Sequence, residues 1–279
     1  MYALDHQALV QRMLASLLDA GAALLRHRAA GVDVEHKADR SPVTAADREA
    51  EAIVLAGLAA AAPAVPVIAE EQVSAGQVPA FTTHAFLVDA LDGTKEFIAG
   101  NDDFTVNVAL VEHGVPLFGL LLAPAAGRLF VTLGPARAAQ ARFAPADLQR
   151  DAARIAPSLA FTDIRTANPD TRALRALASR SHLSAETERY LTRFQVASMG
   201  RVGSSLKFGL IAAGEADIYV RYGPTCAWDT AAGHAIMLAA GGEVTTVDGA
   251  PLRYLGNAPS FLNPPFVAWG RPSLIPLGK

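Results

Sequence analysis

Phe86-Leu-Val-Asp-Ala-Leu-Asp-Gly-Thr-Lys-Glu-Phe97 runs an apolar strand straight into two aspartates three residues apart, and then into Gly-Thr. Carboxylates placed there can hold a hard cation such as Mg²⁺, which takes oxygen ligands at short distance. A strand ending at Asp89 can turn so that both side chains and an intervening carbonyl face one point. Asp89, the backbone oxygen of Leu91 and Asp92 therefore form a candidate ligand set. Gly93 allows a tight turn and close approach of the backbone. A helix opening at Thr94 would aim its free N–H groups and positive dipole end at the same spot, a seat for phosphate. The competing reading is an Asp-Gly turn after a buried strand, with Asp92 capping the next helix.

Working outward, Val65-Pro-Val-Ile-Ala-Glu-Glu71 reads as a second short apolar strand that delivers carboxylates at its end, Glu70 first. Trp228-Asp-Thr-Ala-Ala-Gly-His234 opens a helix of small residues with Asp229 in its first turn, and Ser41-Pro-Val-Thr-Ala-Ala-Asp47 precedes another helix. Taken singly, Glu70 reads as a surface acid, Asp229 as a helix cap and Asp47 as a solvated first-turn residue.

Taken together, the acidic strand end, Asp89-x-x-Asp-Gly-Thr94 and the later Trp228-Asp229 resemble the lithium-sensitive, Mg²⁺-dependent sugar-phosphatase superfamily that includes inositol monophosphatases and fructose bisphosphatases. Gly93-Thr-Lys-Glu-Phe97, Asn101 to Asn107, Ser204-Ser-Leu-Lys-Phe208 and Trp228 to His234 are similar, more narrowly, to the bacterial 3′(2′),5′-bisphosphate nucleotidases of sulfate assimilation. The likeness spans roughly Lys37 to Phe266 and is weakest between Gly134 and Ser158. One departure is Ala90, where the superfamily usually carries proline; it relaxes the turn and removes no ligand.

The resemblance implies a layered αβαβα fold and Mg²⁺, two or three ions per site, held by Glu70, Asp89, Leu91, Asp92 and Asp229. It also implies water activation through Asp47 and Thr94, the carboxylate accepting the threonine proton so that the hydroxyl oxygen can take one from water. Substrate contacts would come from Glu70, Leu91, Asp92, Gly93, Thr94 and Asp229, with His182, Ser204, Lys207 and Arg221 on the nucleotide. A helix starting at Ser204, a lysine one turn on and a guanidinium at a strand end could hold a 5′-phosphate that the metals do not touch. The expected reaction is hydrolysis of the 3′-phosphate of 3′-phosphoadenosine 5′-phosphate to AMP, with the phosphosulfate as a further substrate. An inositol or other sugar monophosphatase would need no such clamp. A non-enzymatic Mg²⁺- or nucleotide-binding module would typically have lost a ligand.

Composition sets the outer limits. With 279 residues, 51% hydrophobic, the chain has ample material for one large or two ordinary cores. A net charge of −3 gives no electrostatic case for nucleic acid. The apolar stretch Leu9 to Leu25 contains Asp19 and follows Asp5 and His6, so it reads as a packing helix and not as a signal peptide or a membrane span. Cys226 is the single cysteine, which excludes an intrachain disulfide, makes a reducing cytoplasm the default and reads as an inert buried thiol. Monomer or homodimer, and peripheral attachment to the inner membrane, stay open on the sequence.

Helices are expected at Asp5–His27, Thr44–Ala60, Thr94–Ile98, Ala185–Phe194, Ser204–Ala213 and Thr230–Ala240. The β-rich runs Phe104–Glu112 and Val115–Ala123, joined at His113-Gly114, predict a hairpin, with Arg128–Leu133 as a third strand. Gly134 to Ser158 lacks periodicity and marks the expected boundary between an α+β unit (1–140), with a mixed, largely antiparallel sheet, and an α/β unit (141–279). Strands of the second unit are expected at Phe161–Arg165, Phe194–Ser198, Asp217–Arg221 and Glu243–Thr246.

Overall fold

The structure is a computed structural model and describes residues 5–31, 34–36, 42–81, 83–181, 183–256 and 258–271. Helix α1 (His6–Ala30) starts where the Asp5 side chain accepts from the Ala8 N–H. A short ribbon, β1 (Val34–His36) and β2 (Pro42–Thr44), leads into α2 (Ala45–Ala61). Thr44 and Asp47 close a capping box at the start of α2, satisfying N–H groups that a helix end otherwise leaves open. By length and composition α1 could cross a membrane, yet 67% of its apolar window is buried here, so it serves as a core helix.

The chain then builds its larger sheet. In order come β3 (Val67–Ala69), α3 (Glu70–Ser74), β4 (His84–Asp92), α4 (Thr94–Ile98), β5 (Thr105–Glu112), β6 (Val115–Ala123), β7 (Arg128–Gly134), β8 (Arg137–Arg142), α5 (Pro145–Arg150), α6 (Ala152–Ile155) and β9 (Thr162–Ile164). Strands β3 to β9 lie side by side in sequence order, antiparallel except for the β3–β4 pair. The expected hairpin is present. His113 and Gly114 both have positive φ, 50° and 77°, the twist that matches two right-twisted strands.

A second sheet follows from β10 (Leu174–Ser179), α7 (Ala185–Leu191), β11 (Val196–Val202), α8 (Leu206–Ala212), β12 (Ile218–Arg221), α9 (Ala227–Ala239), β13 (Glu243–Thr246) and β14 (Phe266–Trp269). Its strand order is β11-β10-β12-β14-β13, parallel around β10 and antiparallel around β14.

Alternation along β4 shows how the layers close. Phe86 and Val88 pack with Met13 and Leu17 of α1 and Val54 of α2, whereas Leu87 faces the opposite way, into a core with Phe208 of α8 and Ile236 of α9. Both faces of β4 are thus covered, and its apolar run is continuous for that reason. The smaller sheet covers the far side of α8 and α9, and Tyr190 and Leu191 of α7 cap its outer face against Ile218, Val220 and Trp269. Five layers result, as the resemblance implies. Gly119 on β6 lets α9 come close: a Cβ there would sit 2.3 Å from the Ala232 carbonyl oxygen.

Some expectations need correction. The aperiodic stretch after Gly134 holds β8, α5 and α6, and position 140/141 falls inside β8, which is paired on both edges. Alanine-rich β8 carries little strand propensity and is fixed by its neighbours. The strand expected at Phe161–Arg165 forms as β9 but joins the first sheet through Gln140 and Thr162. Strands β10 and β14 carry no expectation from the sequence reading.

Candidate active site

β4 brings Asp89 and Asp92 to the end of the larger sheet, where its pairing with β5 shifts register between these two residues. Ala90, in place of the usual proline, lies in that irregular segment and is buried. The Leu91 N–H donates to Asp89 Oδ1 at 2.9 Å, which fixes the first carboxylate. Glu70 opens α3 immediately after β3, and Asp229 stands in the first turn of α9, its Oδ2 accepting the Cys226 N–H at 2.8 Å. One carboxylate oxygen from each of Glu70, Asp89 and Asp229 lies within 4.8 Å of the others. Asp92 lines the same cleft, about 350 Å³ in volume, and its Oδ2 accepts the Ser205 N–H at 2.5 Å.

These acids are crowded, with Asp89 buried and the others half-buried along the cleft. Burial, then the negative charges of Glu70, Asp92 and Asp229, hold the Asp89 carboxyl well above its ordinary range. Burial, then Asp92 and Glu70, does the same to Asp229. Asp92 is pushed up to about 6 by burial, with the Lys207 ammonium opposing the shift. Like charges packed this way call for a cation between them, and hard carboxylate oxygens suit Mg²⁺. The residues present therefore fit the metal.

Asp47 reaches the site from the other direction. Its Oδ2 accepts from the Thr44 N–H and the Thr44 hydroxyl, both at 2.7 Å, which leaves Oδ1 for the Thr94 hydroxyl at 3.2 Å. The Leu91 carbonyl is the alternative acceptor for that hydroxyl, also at 3.2 Å, so its single proton can serve one or the other. Burial raises the Asp47 carboxyl, opposed by the Thr44 hydrogen bonds. Gly93 makes the turn into α4 with φ 93°, and a Cβ there would meet Asp103 O at 3.2 Å and the Ser204 side chain at 3.1 Å. The close approach expected of this glycine is thus the approach of the 203–205 segment.

On the nucleotide side the geometry departs from expectation. Helix α8 starts at Leu206, not at Ser204, and Ser204 itself has φ 46°. The Ser204 hydroxyl is paired with Thr105, and the neighbouring Ser205 N–H is spent on Asp92. The expected helix end at Ser204 is therefore displaced to Leu206, with the Ser205 N–H committed to Asp92. Lys207 and Arg221 do line the cleft, both buried. The Lys207 ammonium donates to the carbonyls of Val202 at 3.0 Å and Ser204 at 2.5 Å. Arg221 donates from Nε to Gly223 O at 3.1 Å and from Nη2 to Pro224 O at 3.0 Å. His182 lies outside the described residues. His234 is a packing residue, hydrogen-bonded to the Tyr254 hydroxyl at 3.0 Å and kept neutral by burial.

Sequence reasoning passed over Glu51. It is buried on α2, four residues and so about one turn after Asp47, and accepts the N–H groups of Glu71 at 2.8 Å and Gln72 at 3.2 Å. Ala69, the residue before α3, offers no side-chain cap, so Glu51 caps the helix that carries Glu70 from a distance. Its spacing from Asp47 was the available signal.

Two mixed sheets interleaved with three helical layers, and a carboxylate cluster in the cleft where the layers meet, define the layered metal-dependent sugar phosphatases. The sequence matches the inositol monophosphatase family over residues 6–267, and the chain belongs to that family. Enzymes of this family depend on metal ions, typically Mg²⁺. The chain is 41% identical to the 3′(2′),5′-bisphosphate nucleotidase CysQ of Shigella flexneri and to that of Escherichia coli K12, over 84% of this chain and 88% of each relative. Its fold is similar to the crystal structure of CysQ from Bacteroides thetaiotaomicron, with a TM-score of 0.74 and 33% identity over 96% of this chain and 98% of that one. The inositol monophosphatase of Thermotoga maritima shares the fold, with a TM-score of 0.66 and 22% identity over 93% of this chain and 91% of that one.

Proposed function

We propose that the chain hydrolyses the 3′-phosphate of 3′-phosphoadenosine 5′-phosphate, giving AMP and phosphate, with the phosphosulfate analogue as a second substrate. The observation that carries this reading is a cleft with two kinds of charge: the Glu70, Asp89, Asp92 and Asp229 carboxylates, and the buried cations Lys207 and Arg221. A bisphosphate has one phosphate for each. The curated relatives that carry the nucleotidase name support the same substrate.

Glu70, Asp89, the Leu91 carbonyl, Asp92 and Asp229 are the groups that would hold Mg²⁺, two or three ions per site. When bound, Mg²⁺ neutralises charge on the reacting phosphate and lowers the pKa of water. The chain's own residues then manage the proton. Asp47, fixed by Thr44, accepts the Thr94 hydroxyl proton, which turns the Thr94 oxygen lone pair towards the attacking water. As water forms the new O–P bond and the P–O3′ bond breaks, the proton leaves along Thr94 to Asp47, and the departing 3′-oxygen takes one from solvent. The setting is the cytoplasm, as a monomer or homodimer, which light scattering separates.

Phosphate release from bisphosphorylated nucleotides, adenosine 3′-monophosphate, inositol phosphates and fructose bisphosphate, each with Mg²⁺, tests the reading. A kcat/KM at least about tenfold higher on 3′-phosphoadenosine 5′-phosphate than on the monophosphate is expected. Preference for an inositol phosphate would replace it with the sugar-phosphatase alternative.

A further inference from the structure

Strand β12 places Tyr219 and Arg221 two residues apart, so both side chains project from one face of the smaller sheet. That face meets the cleft, while Val220 between them packs with α7 on the other side. Tyr219 is 3% exposed and its ring is clamped edge-on by Phe208 and Phe266, with the Lys207 ammonium 4.9 Å from the ring centre. Among the described residues its hydroxyl has no hydrogen-bond partner, although the side chain lines the cleft. The hydroxyl is the one polar tip of an otherwise buried side chain and opens into the cleft, where water or a ligand completes it.

The contrast with its neighbours is informative. Lys207 and Arg221 are steered by backbone carbonyls, and each keeps further N–H donors: a lysine ammonium has three, an arginine guanidinium five. Tyr219 is held by ring packing alone, so its hydroxyl is fixed in place with its hydrogen-bonding capacity unspent. Burial raises the phenol pKa, so at neutral pH the group is a protonated donor.

We propose that the Tyr219 hydroxyl donates a hydrogen bond to the phosphate that is not hydrolysed, completing with Lys207 and Arg221 a seat for the 5′-phosphate. This rests on the bisphosphate reading above. A rigid donor held by ring packing loses little entropy on binding, which suits it to selecting a substrate.

Tyr219→Phe removes the oxygen and keeps the ring contacts. It should lower kcat/KM on 3′-phosphoadenosine 5′-phosphate about tenfold, shrink the preference over adenosine 3′-monophosphate by a similar factor, and weaken inhibition by AMP about tenfold. An unchanged preference, or equal losses on both substrates, overturns the assignment of Tyr219. A wild-type enzyme without any preference for the bisphosphate overturns the nucleotidase reading itself, so the two failures are distinguishable. A measurement on the unaltered protein stands beside the variant: with its five tyrosines ¹³C-labelled at Cζ, one resonance should shift on adding AMP and stay in place with adenosine. No resonance selective for AMP also overturns the proposal.

Discussion

The acidic and basic residues of the cleft handle buried charge in opposite ways. Asp89, Asp92 and Asp229 each accept one backbone N–H, from Leu91, Ser205 and Cys226, and face one another's negative charge and that of Glu70, with Lys207 near Asp92 and Arg221 near Asp229 offsetting part of it. Lys207 and Arg221 each donate to two backbone carbonyls. The acidic cluster is built short of a cation, so ligand binding and stability are linked there. The basic wall is oriented before any ligand arrives, which suits it to the selective role proposed for it.

Asp92→Asn attacks the acidic side directly and should have the largest effect. Asparagine keeps an acceptor for the Ser205 N–H, so the fold survives, but one anionic ligand is gone. Activity should fall about a hundredfold or more, which corresponds to roughly 2.7 kcal/mol of barrier. Retention of more than roughly a tenth of wild-type activity at saturating Mg²⁺, a change below about 1.4 kcal/mol, would remove Asp92 from the ligand set.

Glu51→Gln asks whether the acidic side depends on support from α2. An amide has one acceptor oxygen where the carboxylate has two, so one of the Glu71 and Gln72 N–H groups loses its partner and Glu70 is held less firmly. The Mg²⁺ concentration for half-maximal activity should rise about tenfold, the equivalent of ~1.4 kcal/mol, with turnover at saturation much less affected. A loss of thermal stability without any change in Mg²⁺ dependence would make Glu51 a structural residue only.

The mildest test sharpens the link between metal and stability. In the folded, metal-free protein Asp92 titrates at about 6 against an ordinary value of 3.8, and Asp89 and Asp229 are also raised. A raised folded pKa means that this stability is fully present below the unfolded value and is lost as pH rises through the folded one. Metal-free protein should therefore weaken from about pH 4 upward through pH 6, at up to ~1.4 kcal/mol per unit for each group. Mg²⁺ at 100 times its Kd restores about 2.7 kcal/mol, a rise in Tm of roughly 5 °C or more for a chain of this size. Thermal melts with chelator and with Mg²⁺, at pH 5 and pH 7.5, should show the larger increment at pH 7.5; equal increments would contradict the coupling.

Residues close in sequence were the legible ones. The strand running into Asp89, the turn at Gly93, the helix at Thr94 and the His113-Gly114 hairpin all follow from local pattern, and the structure has each of them, with the strand continuing past Asp89 to Asp92. Local pattern failed where neighbours decide. The run Ser204-Ser-Leu-Lys207 has a serine suited to capping, yet the 203–205 segment must pass Gly93 and deliver the Ser205 N–H to Asp92, so the helix starts two residues late. The alanines of β8 show no strand preference until β7 and β9 pair with them.

By itself the sequence determined which groups are candidates for chemistry here: the oxygen donors on the 89–94 segment, the first-turn carboxylates Asp47 and Asp229, and through them the family. These depend on turns and helix starts, whose energetics involve a few neighbouring residues. Only the tertiary structure decided that Glu70, Asp89 and Asp229 meet within 4.8 Å, that Glu51 holds α3, and that Tyr219 stands beside Lys207 and Arg221. Those encounters depend on α9 seating against Gly119 of β6 and on two sheets closing over α8 and α9. Burial drives that packing without regard to distance along the chain, and no local pattern records where it will bring two side chains together.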